Sequence, residues 1–158
     1  MLAKSFILSL CFAAAFLPQF ALAKSPEILT QAQLEQQKQK PCTFINVWAT
    51  WCSICLREMP ELMTWLGKEK RINPVILDIS KPFLQDQVGK RWKVLIEAPF
   101  PTYLKPSGAD HDYFQAIDRE FDNSLPFSVL YHRGRRKKIW RGSLDLRKLD
   151  REIAKLCN

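Results

Sequence analysis

Apolar positions along the 158-residue chain fall into blocks of two different periods, and each change of period marks an element. From Lys24 to Lys40 the sequence is polar and rich in Gln, with Ile28, Leu29 and Leu34 the only large aliphatic residues. This stretch reads as a leader or short surface helix rather than core. The next run, Cys42-Thr43-Phe44-Ile45-Asn46-Val47-Trp48-Ala49, is almost continuously apolar or β-branched. Such a run predicts a central strand covered on both faces in a parallel or mixed sheet. Beyond Thr50-Trp51-Cys52 the period lengthens. Cys55, Met59, Leu62, Met63 and Leu66 form one face of an amphipathic helix that stops at Gly67 and is kinked by Pro60. Pro74 to Ile79 predicts a second strand, so that strand, helix and strand make a right-handed parallel unit.

Further along, Ser80-Lys81-Pro82 predicts a helix start, with Phe83, Leu84, Val88 and Trp92 on its apolar side. Thr102 to Leu104 reads as a short strand, and Asp110 as the cap of a helix carrying Phe114, Ile117 and Phe121. Phe127 to His132 and Lys138 to Arg141 flank a turn at Arg133-Gly134-Arg135 and predict a hairpin. Ser143 or Asp145 then caps a last helix with Leu146, Leu149, Ile153 and Leu156 inward. The length suits one domain with its own core.

The N-terminus changes the picture of where the protein works. Met1 to Ala23 holds Lys4, an apolar run from Phe6 to Leu17 and an Ala-Leu-Ala site, the pattern of a secretory signal peptide cut after Ala23. Left uncut, the same stretch approaches the roughly 20 residues that span a bilayer and would tether the chain to a membrane. The expected organisation is a signal peptide over 1–23, a polar leader over 24–40 and one domain over 41–158. Export to the periplasm or beyond makes disulfides durable. Of the 5 cysteines, Cys11 belongs to the signal, which leaves Cys42, Cys52, Cys55 and Cys157. The formal net charge is +8, yet an exported protein rarely meets nucleic acid. The basic run from Arg133 to Lys138 therefore reads as a solvated turn, with acidic lipid headgroups or an acidic partner as the alternative.

Two cysteines three residues apart, where a buried strand gives way to a helix, form a specific arrangement. Cys52 stands at the helix N-terminus, where unpaired N–H groups and the positive end of the macrodipole favour a thiolate. It is the expected nucleophile, and Cys55 the residue that resolves the mixed disulfide. A zinc site would need two further ligands, and His111 and His132 supply no suitable spacing. A purely structural role is disfavoured because so short a loop constrains little chain entropy. The reading calls for no metal and no cofactor.

Phe44 to Trp51 with Cys52-Ser53-Ile54-Cys55 and Glu58-Met59-Pro60 resembles the thioredoxin superfamily signature, and the Cys-x-x-Cys-x-x-Glu-x-Pro spacing is similar to its TlpA/ResA-like branch. The resemblance implies an α/β, three-layer thioredoxin fold: a central mixed β-sheet flanked by helices. Asn46 occupies the position at which thioredoxins themselves carry a buried acid. By the same resemblance Pro126 is cis and faces the redox pair, and the backbone of Leu125 binds an extended partner polypeptide. Trp51 shields the site or simply packs; Glu58 is a buried acid–base group or an ordinary surface carboxylate. In such a fold the last helix runs back from the active-site end. That brings Cys157 toward Cys42, for a disulfide or for two buried free thiols.

The implied function is reduction or exchange of disulfides in exported proteins, with protein thiols or disulfides as substrates and a membrane electron donor regenerating the pair. Cytochrome c or copper-centre maturation is the implied setting. Two alternatives stand beside it. A net disulfide oxidase would need a more stabilised Cys52 thiolate than Ser53 and Ile54 provide. A copper(I) chaperone or metal-delivery module suits soft thiolates but lacks Met-rich or His-rich companions.

Overall fold

In chain order the elements are β1 (Glu27–Ile28), α1 (Gln31–Lys38), β2 (Thr43–Trp48), α2 (Ser53–Lys68), β3 (Asn73–Asp78), β4 (Thr102–Leu104), α3 (His111–Ile117), β5 (Phe127–His132), β6 (Arg135–Arg141) and α4 (Leu146–Leu156). The computed structural model describes residues 26–81, 98–109 and 111–157. The signal segment, the helix expected after Ser80 and the capping Asp110 lie outside the described residues.

All six residues of β2 are buried, as the unbroken apolar run requires. The strand sits inside a six-stranded sheet of order β1-β4-β3-β2-β5-β6. β1, β4, β3 and β2 run parallel, β5 is antiparallel to β2, and β6 is antiparallel to β5. Residues of β2 alternate between two cores. Phe44 and Trp48 join Cys55, Met59, Leu62, Met63 and Leu66 of α2 and Leu149 and Ile153 of α4. Ile45 and Val47 face Leu29, Leu34, Tyr113 and Ile117 on the other side. The result is three layers, α2 and α4 over the sheet over α1 and α3.

Several boundaries differ from the sequence reading, each for a local reason. The polar stretch before residue 41 is part of the fold: β1 pairs with β4, and Leu29 and Leu34 are fully buried. α1 forms on few apolar residues because Thr30 and Gln33 make a reciprocal capping box that satisfies its first N–H groups. Lys38, the other buried residue of α1, donates to the Ala116 carbonyl and to Glu35. Gly67 does not end α2, which runs to Lys68. A Cβ on Gly67 would lie 3.2 Å from Pro99 Cγ, so close approach rather than helix termination favours glycine there. Phe121 lies past the end of α3, and Tyr113 is the buried residue that periodicity missed.

The hairpin turn is tighter than expected. Arg133 and Gly134 both have positive φ, 50° and 76°, as a two-residue turn matching strand twist demands. Most of the basic run is therefore strand β6 rather than turn. Arg136 pairs with Asp118 and Glu120, and Lys138 with Glu152. Asp145, not Ser143, caps α4, accepting from Lys148 N at 3.1 Å.

Cys42, just before β2, and Cys157, the C-cap of α4, are joined by a disulfide, with Cα atoms 5.7 Å apart and a separation of 115 positions in sequence. A cross-link closing a loop that long removes much of the unfolded chain's freedom. Cys42→Ser/Cys157→Ser is expected to lose about 4 to 5 kcal/mol of unfolding free energy. Equilibrium denaturation checks this, and a loss under about 1 kcal/mol would show that the bridge restrains little of the unfolded ensemble.

Candidate active site

The site is built where β2 runs out of sheet. Trp48 pairs with Asp78 at the end of β3, and the chain then turns back on itself, with Cys52 N donating to Ala49 O at 3.0 Å. That turn puts Cys52 at the N-cap of α2 in extended conformation, and its Sγ accepts from Cys55 N at 3.2 Å. A sulfur usurps the place a Ser or Asp oxygen takes in an ordinary cap. Cys52 and Cys55 are joined by a disulfide, with Cα atoms 5.3 Å apart. Both residues are buried, Cys55 completely.

Three large apolar side chains next to the pair in the chain are exposed. Trp51 is 61% exposed, and Ile54 and Leu56 are also exposed. Trp51 therefore does not serve as core packing, and its indole faces solvent next to Cys52 in the chain. The Leu125-Pro126 bond is cis. Pro126 is buried and immediately precedes β5, whose first residue, Phe127, pairs with Val47. It thus lies at the same end of the sheet as the Ala49–Cys52 turn, with half-buried Leu125 packed against the core that includes Cys52.

Glu58 is half-buried, one helical turn beyond Cys55. Its Oε2 accepts from Leu144 N at 3.1 Å, Ser143 donates a side-chain bond, and Oε1 is buried without a partner among the described residues. Burial pushes its carboxyl above the usual range, partly offset by the bonds from Leu144 and Ser143. This is not the setting of an ordinary surface carboxylate. Ser143, which the sequence reading weighed as a helix cap, holds Glu58 instead.

Beneath the turn lie polar residues that the sequence reading did not count as functional. Asn46 donates to Ser128 Oγ at 2.9 Å, while its Oδ1 is buried without a partner among the described residues. Asp78 is fully buried and accepts from Ser80 N at 2.7 Å and Ser80 Oγ at 2.6 Å. Burial drives its carboxyl upward against the Ser80 bonds and the more distant positive charge of Lys105. The signal in the sequence was a lone acid inside the apolar run 74–79. Among the described residues no group of three or more His, Cys, Asp or Glu converges as a metal site would.

No protein-family model and no curated protein matches this sequence. Solved structures do. A thioredoxin-related protein from Neisseria meningitidis serogroup B superposes with a TM-score of 0.61 at 24% identity, over 77% of this chain and 88% of that one. A thiol:disulfide interchange protein of the thioredoxin family from Chlorobium tepidum TLS gives 0.58 at 18% identity, over 78% and 83%. StoA from Bacillus subtilis gives 0.53 at 18% identity, over 73% and 84%. The chain has the thioredoxin fold.

Because the folded state raises the Glu58 pKa, its neutral form is the one the fold favours. The stability this contributes is full below the ordinary value of 4.5 and is lost as pH rises through the raised value. Glu58→Gln, which keeps an acceptor for Leu144 N, should abolish that decline and leave the protein at least as stable at pH 7. Unfolding free energies measured from pH 4 to 8 decide it: parallel curves for the two proteins would rule out a perturbed Glu58.

Proposed function

We propose that this thioredoxin-fold chain is an exported thiol–disulfide oxidoreductase that reduces or exchanges disulfides in other exported proteins. What supports this above all is the Cys52 sulfur at a helix N-cap, held by a backbone N–H and joined to a fully buried Cys55. The same N–H that meets the sulfur in the oxidised form would stabilise a thiolate once the pair is reduced.

The exchange then runs in two balanced steps. The Cys52 thiolate attacks one sulfur of a substrate disulfide, that S–S bond breaks, and the released substrate thiolate takes a proton. Cys55 next gives up its proton, with Glu58 one turn away as its acceptor, and attacks Cys52 Sγ. The mixed disulfide breaks, the second substrate sulfur leaves as a thiolate that takes the proton back from Glu58, and Cys52–Cys55 carries away the two electrons' worth of oxidation. Exposed Trp51 and the backbone at Leu125 beside Pro126 form the surface on which an extended substrate lies. Ile54 and Leu56 extend it.

Export is supported by the signal pattern of Met1 to Ala23 and by two disulfides, which persist outside the cytoplasm. Net reduction requires a membrane electron donor to return the pair to the dithiol. Cleavage after Ala23 would free the domain, and an uncut leader would hold it at the membrane.

Equilibration of the Cys52–Cys55 pair in dithiothreitol or glutathione buffers gives its potential. A value near −270 mV, thioredoxin's, supports a reductant, and one near −120 mV turns the protein into an oxidase. Cys52→Ser should abolish turnover of a disulfide-bonded protein substrate, and Cys55→Ser should trap it as a mixed disulfide. Retention of turnover in Cys52→Ser would overturn the reading. Trp51→Ala should raise KM for a protein substrate several-fold with little change for a small aliphatic disulfide; equal effects on both would remove Trp51 from the docking surface.

A further inference from the structure

We infer that Asp78 is a positioning residue for this exchange: through Ser80 it holds the Thr50-Trp51-Cys52 turn in the geometry that keeps the Cys52 sulfur on the N–H groups of α2. The inference rests on Cys52 being the nucleophile, as proposed above.

The connection is a continuous chain of short hydrogen bonds. Asp78 Oδ1 receives both the backbone N–H of Ser80, at 2.7 Å, and its hydroxyl, at 2.6 Å. With its one proton given to Asp78, the Ser80 hydroxyl has only lone pairs left, and these meet Thr50 N at 2.8 Å and Thr50 Oγ1 at 3.1 Å. Thr50 is thus the donor in both contacts, gripped through backbone and side chain together. Thr50 begins the two residues that lead into Cys52, and the turn closes from Cys52 N to Ala49 O.

Sheet register explains why an acid at this position reaches so far. Asp78 stands opposite Trp48, and Ile79 N continues the ladder to Trp48 O at 3.0 Å. Asp78 therefore ends its strand beside the point where β2 leaves the sheet. Trp48 and Ile76 contribute to the core beneath α2, and alternation puts Asp78 on that same face. The other buried polar pair there, Asn46 and Ser128, is neutral and bonded to itself. A carboxylate makes charge-assisted bonds roughly twice as strong as neutral ones, which suits a post that fixes a loop. Retaining it in a fully buried site, with Oδ2 unpartnered among the described residues, is otherwise a cost without return.

Loosening the turn should draw the sulfur away from the Cys55 N–H and weaken the thiolate. Loss of a buried negative charge, taken alone, would do the reverse and strengthen it. The sign of the change therefore separates positioning from plain electrostatics.

The test uses the full chain in its reduced form, titrating Cys52 by thiolate absorbance and measuring the potential of the pair. In Ser80→Ala the Cys52 thiolate fraction at pH 7 should fall about threefold, with Ser80→Thr restoring it. Asp78→Asn, which keeps the shape and the acceptor, should fold and shift the fraction the same way by a smaller factor. A folded Ser80→Ala with unchanged titration and potential overturns the inference, and so does a rise in thiolate fraction in Asp78→Asn. Should Ser80→Ala fail to fold, the sign in Asp78→Asn alone decides. If Cys52 of the unsubstituted chain titrates no lower than a free cysteine, about 8.5, the oxidoreductase reading fails and this inference with it. A low-titrating Cys52 indifferent to both substitutions removes only the role of Asp78.

Discussion

A strand with no wet face has to be covered twice, and that requirement on Thr43–Trp48 organises the molecule. Phe44 and Trp48 call for α2 and α4 on one side, Ile45 and Val47 for α1 and α3 on the other. Its edges call for β3 and β5, since buried N–H and C=O groups must be paired. Where the strand ends, the chain emerges between layers and must turn at once into α2. Cys52 is the residue at that junction. Its sulfur is thus delivered by the same burial that builds the core, and its environment is set by a helix terminus that the fold would need in any case.

The acids around this junction show how placement decides chemistry. Glu58 and Asp78 are both pushed toward their neutral forms by burial, but their neighbours differ. Glu58, one turn from Cys55, keeps one oxygen without a partner among the described residues. Asp78 is committed to Ser80 and, through it, to Thr50. Asp118, across the sheet, goes the other way. Burial raises its pKa, but bonds from the Tyr131 hydroxyl, Glu120 N and Arg136 outweigh that and hold its carboxyl below the usual range. That cluster joins α3 to the β5–β6 hairpin and takes up part of the basic run in β6.

Much of this was legible in order of pattern strength. β2, the buried face of α2, the β5–β6 hairpin and the inward residues Leu149 and Ile153 of α4 follow periodicities that no neighbour has to complete. The Cys52–Cys55 pairing was legible because an i, i+3 pair at a helix start is brought together by local geometry alone. β1 and α1 were not legible as core, because two leucines in a Gln-rich stretch have no period. Only the pairing of Glu27 with Tyr103 and the pockets for Leu29 and Leu34 make them part of the fold.

The sequence by itself determined the central strand, the helix that follows it and the pairing of Cys52 with Cys55 at their junction, since each depends on residues close together in the chain. Tertiary structure alone decided what surrounds them. Leu144 meeting Glu58 across 86 positions, Ser80 meeting Thr50 across 30, and Gly67 lying against Pro99 are contacts between segments whose separation no local pattern encodes. Burial and bonding at such contacts set which way a carboxyl's pKa moves and which groups it holds. Those quantities come into being only when the layers close.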